Sequence, residues 1–140
     1  MNKGKILVII GPTASGKSAL AIEIAEKFNG EIVSADSRQI YRGMDIGTAK
    51  PGKKELAAVK HYLINIKNPN QNYSVGQYKK DAVGVINKII KSGKTPILVG
   101  GTGLYVDAIV KNLEFPEVKE NKKLRARLEK EIEERGLDYV

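Results

Sequence analysis

The sequence predicts an α/β domain with a mostly parallel sheet flanked by helices. Two observations support this fold class. Short apolar runs alternate with helical patterns along most of the 140-residue chain, which is the order of parallel strands joined by crossover helices. The first apolar run, at 6–10, also leads through a glycine-rich segment directly into a helical pattern. We therefore expect this run to be a buried strand at the start of the domain.

The glycine-rich segment reads GPTASGKS and fits the pattern GxxxxGKS of a phosphate-binding loop. Its glycines allow backbone N–H groups to surround a polyphosphate, and the following helix adds partial positive charge. Lys17 is expected to reach the outer phosphate, and the Ser18 hydroxyl to bind Mg²⁺. The alternative is a turn that only caps the helix. The fold is thus predicted to be P-loop NTPase-like, with a phosphate site formed by Gly11, Pro12, Thr13, Ala14, Ser15, Gly16, Lys17 and Ser18.

The other elements follow in order along the chain. Residues 37–54 lack a clean period and are predicted to form a long functional loop with at most one helical turn. Ser74 and Gln77 form a capping box at the start of the most regular helix. Strands are predicted at 5–10, 31–34, 61–66 and 95–99, and helices from the glycine-rich loop to Gly30, from Ser74 to Gly93, at 104–111 and at 119–135.

The composition changes after Pro116. Residues 1–116 are predicted to be the first part of the P-loop α/β core, and residues 117–140 a charged helix that begins an inserted helical region. This helix carries a narrow apolar stripe, and we expect only the side chains of that stripe to be buried. They are Leu124, Leu128 and Ile132. Four strands are few for a nucleotide-binding sheet. The fold is therefore expected to be incomplete at its C-terminus.

Composition restricts the chemistry and the partners. The chain has no cysteine, which excludes disulfides, thiol chemistry and cysteine-based metal sites. No apolar run is long enough for a membrane span, so a cytoplasmic protein without membrane contact is expected. Much of the net charge of +8 lies at 38–67, where seven lysines or arginines face two acids. This stretch indicates binding to nucleic acid or another polyanion, and the alternative is a lysine-rich solvated surface.

Asp36 is the main candidate for chemistry outside the glycine-rich loop. It follows the second predicted strand, at the sheet edge where ligands gather, and can act as general base or bind Mg²⁺ through water. The alternative is a turn cap.

Thr102 either orients a ligand group or caps the next helix. No Asp ends the 95–99 strand, which weakens ordinary ATP hydrolysis, and the single histidine, His61, is interpreted as structural or surface.

Five segments together resemble the tRNA dimethylallyltransferase family, also called tRNA isopentenyltransferases. They are GPTASGKS at 11–18, SADSRQIYRGMDIGTAKP at 34–51, HYLIN at 61–65, YSVGQY at 73–78 and LVGGTGLYVDAI at 98–109. The first segment is shared by many families, whereas the second is far more specific. The resemblance covers the whole chain, but only about the first half of a family member.

The resemblance implies transfer of a dimethylallyl group from dimethylallyl diphosphate to the exocyclic amine of the adenosine adjacent to the anticodon in tRNA. The phosphate loop would hold the diphosphate with Mg²⁺. Asp36 would be the general base, Thr102 would lie beside the reacting groups, and the extruded base would contact Asp36, Ser37, Arg38 and Gln39. Arg125 matches a tRNA-contacting arginine, which implies that the helical region at 117–140 also contacts tRNA. A monomer is expected.

Three alternatives remain at the level of sequence. One is a related enzyme that prenylates free adenine nucleotides, which the basic stretch at 38–67 disfavours. Another is a small-molecule kinase, which would need ATP turnover and a metal-binding Asp after the 95–99 strand. The third is a non-catalytic RNA-binding module, whose function would not depend on Lys17.

Overall fold

The computed structural model describes residues 4–45, 47, 49–116 and 119–139. Glu117 and Val118, at the predicted domain boundary, lie outside these residues. The strands are β1 (Leu7–Ile10), β2 (Gly30–Ser34), β3 (His61–Tyr62) and β4 (Thr95–Gly100), and the helices are α1 (Lys17–Lys27), α2 (Lys53–Ala58), α3 (Val75–Lys91), α4 (Gly103–Val110) and α5 (Lys122–Arg135), followed by a 3₁₀ turn at Leu137–Tyr139.

The four strands form one sheet in the order β1-β4-β2-β3, and every pairing is parallel. This confirms the predicted α/β class. In the register of the sheet, Ile10 lies beside Gly100 and Ser34 lies beside Val99. The carboxyl ends of β1, β4 and β2 therefore meet at one edge, and the connections that leave these three strands are brought together there.

Helices cover the two faces of the sheet and create two apolar clusters. Because side chains alternate along a strand, Val33 and Leu98 pack against α3 and α4, whereas Ile32 and Ile97 pack against α1. Helix α3 begins at the predicted capping box, where Ser74 and Gln77 each accept a hydrogen bond from the other's backbone N–H. It ends before Gly93, whose φ of 77° confirms the predicted glycine stop.

Several predicted boundaries were wrong. The strand predicted at 61–66 ends at Tyr62, because Leu63 and Asn65 take left-handed conformations with φ of 63° and 55°. The loop predicted to reach residue 54 gives way at Lys53 to α2, a helix that the sequence analysis missed. Asn29, with φ of 50°, and not Gly30, makes the left-handed turn after α1.

Strand β1 was expected to be buried from residue 5 onward, but it begins at Leu7 and is an exposed edge strand. Among the described residues it pairs only with β4, and Ile10 is 65% exposed. A strand in a parallel sheet is normally covered on both faces. The apolar run therefore forms a strand, but the described residues leave part of its apolar surface exposed.

Helix α5 does not bury its apolar stripe as predicted. Asn121 precedes it as the N-cap and accepts a hydrogen bond from the backbone N–H of Leu124. The only described element that α5 packs against extensively is the 3₁₀ turn. Leu124 is 42% exposed, and no residue of α5 is buried. Ion pairs four residues apart run along its surface. No helix in the described ranges combines the length and the apolar character that crossing a membrane requires.

Candidate active site

The candidate site lies where the connections after β1, β2 and β4 meet. The backbone N–H of Ala35 donates to the carbonyl of Val99 at 2.7 Å, and the N–H of Thr102 donates to the carbonyl of Ala35 at 3.1 Å. Gly100 makes this approach possible, since a Cβ at that position would lie 2.1 Å from the carbonyl oxygen of Ala35. The β2 and β4 connections are thereby held in backbone contact.

The glycine-rich loop after β1 has the conformation of an anion-binding turn. Ala14 and Gly16 take positive φ angles of 60° and 84°, and left-handed residues of this kind occur in the turns whose successive N–H groups bind anions. No side chain caps the N-terminus of α1, so the free N–H groups of its first turn are available to an anion. The local structure therefore agrees with phosphate binding rather than with a side-chain cap.

Lys17 folds back over this loop. Its ammonium donates to the carbonyl of Pro12 and lies 3.4 Å from the hydroxyl of Ser15, which itself donates to the same carbonyl at 2.7 Å. These contacts are solvent-exposed, so their net stabilisation is small. Lys17 can therefore leave Pro12 for a phosphate oxygen at little cost.

Asp36 lies at the end of β2, as predicted, and lines the same cleft as the phosphate loop. Its Oδ1 accepts hydrogen bonds from the N–H groups of Arg38 at 2.8 Å and Gln39 at 3.3 Å. This is the turn cap that the sequence analysis considered. Oδ2 accepts no hydrogen bond from the residues that the structure describes, so one oxygen holds the turn and the other is available for chemistry.

The hydroxyl of Thr102 does not cap α4, although Thr102 is the N-cap residue of that helix. Its Oγ1 instead accepts a hydrogen bond from the backbone N–H of Ser37 at 2.9 Å and lies 3.4 Å from the Ser37 hydroxyl. Thr102 is half-buried and does not line the cleft. In this structure Thr102 therefore supports the turn that carries Asp36.

A second support comes from α3. Tyr78 is fully buried, and its hydroxyl donates to the carbonyl of Ser34 at 2.9 Å. Its ring stacks on Tyr105 with centroids 3.9 Å apart, and burial together with Tyr105 raises the pKa of Tyr78. The phenol therefore stays protonated as a donor. The Ser34 hydroxyl in turn donates to Oε1 of Gln39 at 3.0 Å, which fixes that amide at the cleft.

The cleft has a volume of about 300 Å³. The phosphate loop forms one wall, and Asp36, Gln39 and the start of the β4 connection lie next to it. The rest of the lining is largely apolar and includes Ala21, Ile32, Ala49, Pro51, Ile64 and Val99. Eight sequence-predicted site residues line the cleft, namely Thr13, Ala14, Ser15, Gly16, Lys17, Ser18, Asp36 and Gln39.

A third group of lining residues was not predicted from the sequence. It includes His61, Glu55 and Ile64, from β3, α2 and the segment after β3. The Nδ1–H of His61 donates to the carbonyl of Val59 at 2.8 Å, and burial lowers the pKa of His61 despite that bond and the nearby Glu55. The ring is therefore neutral at pH 7. The only signal in the sequence was the strand predicted at 61–66. In the structure this strand pairs with β2, and the pairing places His61 near the site.

The remaining predicted residues lie elsewhere. Gly11 and Pro12 precede the part of the loop that lines the cleft, and Ser37 and Arg38 lie on the turn behind Asp36. Arg125 lies on α5, where it pairs with Glu129 at 3.0 Å and Glu120 at 3.7 Å, and is exposed. The structure thus does not bring Arg125 to the cleft.

Within the described ranges no group of three or more His, Cys, Asp or Glu side chains could hold a metal ion. The cleft does offer the hydroxyl of Ser18 and the carboxylate of Asp36. Mg²⁺ commonly takes one or two protein ligands and completes its coordination with phosphate oxygens and water. The donor set therefore fits an ion that arrives with a polyphosphate, and it does not form a metal cage of its own.

The loop, the sheet order and the cleft define a P-loop α/β protein in which a carboxylate and the glycine-rich loop line one cleft. The model of the family described as IPP transferase matches residues 39–140. The tRNA dimethylallyltransferase of Acetivibrio thermocellus is 53% identical over 135 residues, which are 96% of this chain and 43% of the relative. That of Caldicellulosiruptor saccharolyticus is 50% identical over 140 residues, 100% of this chain and 45% of the relative. The chain belongs to the IPP transferase family.

Solved structures agree with this assignment. The full-length tRNA isopentenylpyrophosphate transferase from Bacillus halodurans superposes with a TM-score of 0.79 at 41% identity, over 98% of this chain and 45% of that chain. A eukaryotic dimethylallyltransferase acting on tRNA superposes with a TM-score of 0.78 at 34% identity, over 90% of this chain and 32% of that chain. The chain thus spans less than half the length of the relatives that it matches.

Proposed function

We propose that this chain holds the prenyl donor and the general base of a tRNA dimethylallyltransferase. The reaction would move a dimethylallyl group from dimethylallyl diphosphate to the exocyclic amine of the adenosine adjacent to the anticodon. The observation that carries the proposal is that Asp36 and the phosphate loop line one cleft of about 300 Å³. Family membership supports the reaction class, and the shared cleft supports a phosphate site and a base that act on one substrate pair.

The donor diphosphate would bind at the phosphate loop. The turn at Ala14 and Gly16 and the uncapped start of α1 offer backbone N–H groups, and Lys17 offers a solvent-exposed ammonium. As the bond from the allylic carbon C1 to oxygen breaks, negative charge collects on the departing diphosphate. Preorganised donors stabilise that charge more than they stabilise the bound substrate. Mg²⁺, when bound at Ser18, would supply additional neutralisation of this charge.

The acceptor amine would meet Asp36. An aromatic amine is a weak nucleophile and gains from a base that removes its proton as the new bond forms. Nitrogen forms a bond to C1, the proton moves to Oδ2 of Asp36, and diphosphate leaves with the electrons of the broken bond. Because Oδ1 is held by the N–H groups of Arg38 and Gln39, the carboxylate keeps one orientation during this step.

The apolar lining supports an isoprenoid substrate over a nucleoside triphosphate. Pro51, Ile64 and Val99 line the cleft, are only partly buried, and offer no hydrogen bonds from their side chains. A five-carbon branched tail gains free energy by burial against such a surface, whereas the hydroxyl groups of a ribose gain no hydrogen bond from it. This favours dimethylallyl diphosphate over ATP as the occupant.

The tRNA would contact the exposed basic side chains of the 38–67 stretch. Arg38, Lys53 and Lys54 are exposed and suit phosphate contacts that position the anticodon loop without reading its sequence. Within the part of the chain that the structure describes, Arg125 is held by exposed ion pairs, which are weak, so it can exchange Glu129 for an RNA phosphate. The adenosine would leave its stack to reach Asp36.

The test is Asp36→Asn in the product of the complete reading frame that encodes this chain. The amide oxygen of Asn still accepts from Arg38 and Gln39, so the turn is kept while the base is lost. We expect transfer from labelled dimethylallyl diphosphate to tRNA to fall by about 10²- to 10⁴-fold, with a much smaller change in affinity for the donor. The matched control is Asp107→Asn, which changes a carboxylate of α4 that pairs with Lys111 and does not line the cleft, and which should leave transfer unchanged.

Transfer by Asp36→Asn at the wild-type rate would contradict the base assignment. AMP and ATP are offered beside tRNA in the same assay. Label on free nucleotides, and none on tRNA, would instead identify the related enzymes that prenylate adenine nucleotides. Release of phosphate from ATP without any prenyl transfer would identify a kinase or ATPase.

A further inference from the structure

Lys50 belongs to the basic stretch at 38–67, yet its side chain is only 7% exposed. Its ammonium contacts the carbonyl of Tyr41 at 2.5 Å, Oδ1 of Asn65 at 2.6 Å and Oδ1 of Asp45 at 3.0 Å. An ammonium has three N–H donors, and here each of them has an acceptor. The charge of Lys50 is therefore not presented to a polyanion in solution.

The three acceptors come from two segments that are distant in sequence. Tyr41 and Asp45 belong to the connection after β2, and Asn65 belongs to the segment after β3. Backbone hydrogen bonds link the same two segments, from Asn65 N–H to the Gln39 carbonyl and from Ile66 N–H to the Ile40 carbonyl. Lys50 is thus the side-chain component of a junction between the two connections.

The segment after β3 needs such support, because its backbone is strained. Leu63 and Asn65 have φ of 63° and 55°, and Leu63 is a buried, bulky residue for which the left-handed region is unfavourable. Such conformations persist only where the surroundings hold them. The bond from Lys50 to Asn65 fixes one of these two residues.

The junction leads directly to the cleft. Ala49 and Pro51, the neighbours of Lys50 in the chain, both line it. The carbonyl of Ala49 accepts from the side-chain amide of Gln39 at 3.2 Å, and the backbone N–H of Gln39 donates to Oδ1 of Asp36. The position of Lys50 is therefore connected to that of the Asp36 carboxylate through Ala49 and Gln39.

We propose that Lys50 is a positioning residue, which holds the connection after β2 against the segment after β3 and thereby fixes the cleft wall beside Asp36. It is not a phosphate-contacting residue of the basic stretch. The role in transfer rests on the proposed function, whereas the junction itself does not. A lysine is required because its three donors diverge to three acceptors, a geometry that the planar fork of arginine does not reproduce.

The first test uses Lys50→Met and the matched control Lys80→Met, an exposed lysine of α3. The product of the complete reading frame is analysed by amide hydrogen exchange without any ligand. We expect at least tenfold faster exchange in Lys50→Met at the N–H groups of the junction, namely Arg42, Asn65 and Ile66, and no change in Lys80→Met. Unchanged exchange at these three amides would overturn the proposal.

The second test measures transfer and tRNA binding in the same variants. We expect kcat of Lys50→Met to fall about 10- to 100-fold while the affinity for dimethylallyl diphosphate stays the same, because a misplaced base costs rate and not donor binding. The salt dependence of tRNA binding should keep the wild-type slope. A slope reduced by about one, as expected after removal of a phosphate contact, would contradict the proposal.

Asn65→Gly covers the case in which Lys50→Met fails to fold. Glycine accepts the left-handed conformation at φ of 55° and removes only the side-chain acceptor of Lys50. We expect faster amide exchange and a lower kcat, as in Lys50→Met. Because one of the three acceptors is lost, each change should be about a third as large on a logarithmic scale. If the wild-type protein transfers no prenyl group, the proposed function fails, and the exchange measurements still decide whether Lys50 forms the junction.

Discussion

The backbone N–H of Ser37 donates a hydrogen bond to Oγ1 of Thr102 at 2.9 Å, across 65 residues of sequence. This bond joins the turn that carries Asp36 to the start of α4. Together with the backbone bond from Thr102 N–H to the Ala35 carbonyl, it fixes the end of β2 against the end of β4. The Asp36 turn is therefore held from both sides, by its own Oδ1 and by Thr102.

Thr102→Val removes the acceptor of Ser37 while keeping the shape of the side chain. We expect a loss of about 1 to 2 kcal/mol in the free energy of unfolding, because a half-buried N–H is left unpaired, and a fall in kcat of about tenfold. Thr102→Ser should retain most of both. Transfer kinetics and urea denaturation check this prediction.

The control for this pair is Thr95→Val, at the opposite end of β4, where the hydroxyl donates to the Phe28 carbonyl at 3.3 Å. It should change stability by less than about 1 kcal/mol and leave kcat unchanged. Equal losses of kcat in Thr95→Val and Thr102→Val would show that only general stability was affected.

Gly100→Ala should prevent the close approach of β4 to β2. Its Cβ would lie 2.1 Å from the carbonyl oxygen of Ala35, a backbone atom that cannot move without breaking the site. We expect a loss of about 3 kcal/mol or more in the free energy of unfolding, measured by thermal or urea denaturation. Gly84→Ala on α3 meets no atom within 4 Å and should stabilise the protein by about 0.5 to 1 kcal/mol. Similar effects in the two variants would refute this explanation.

Glu31 should make stability depend on acid pH. Burial raises the pKa of its carboxyl, but hydrogen bonds from Lys94 at 2.6 Å and Tyr62 at 2.8 Å outweigh this, and the pKa is lowered overall. A lowered folded-state pKa contributes stability above the unfolded-state pKa of about 4.3, and that contribution is lost as the pH falls through the folded-state value.

Glu31→Gln should therefore lower the free energy of unfolding by about 1 kcal/mol at pH 7, and the difference from wild type should shrink below about pH 4. Denaturation curves between pH 3 and pH 7 measure this. Glu23→Gln, on the exposed surface of α1, is the control and should show no such dependence. A difference that grows as the pH falls would have the wrong sign.

Lys17→Met should weaken binding of dimethylallyl diphosphate about 10- to 100-fold, because the ammonium that now contacts Pro12 would otherwise reach the diphosphate. Calorimetry with Mg²⁺ measures the affinity, and Lys27→Met at the other end of α1 serves as control. Unchanged affinity in Lys17→Met would contradict the proposal that the phosphate loop binds the donor.

Local patterns in the sequence predicted much of the fold. The capping box at Ser74 and Gln77 and the stop at Gly93 predicted α3 closely, because caps are formed by residues that are near each other in the chain. The glycine-rich loop predicted a phosphate site for the same reason. Strand β3 was predicted to be too long. Apolar residues such as Leu63 favour strands, but the backbone of Leu63 is left-handed and ends the strand.

The sequence by itself thus determined the α/β order, the glycine-rich turn before α1 and the place of Asp36 after β2, because each depends on a short run of residues and on strand order. Only the tertiary structure decided that His61 lines the cleft and that Lys50 is buried within a basic stretch. Both outcomes depend on contacts between segments that are far apart in the chain. Composition records that a lysine is charged, but the acceptors that surround it are set only by folding.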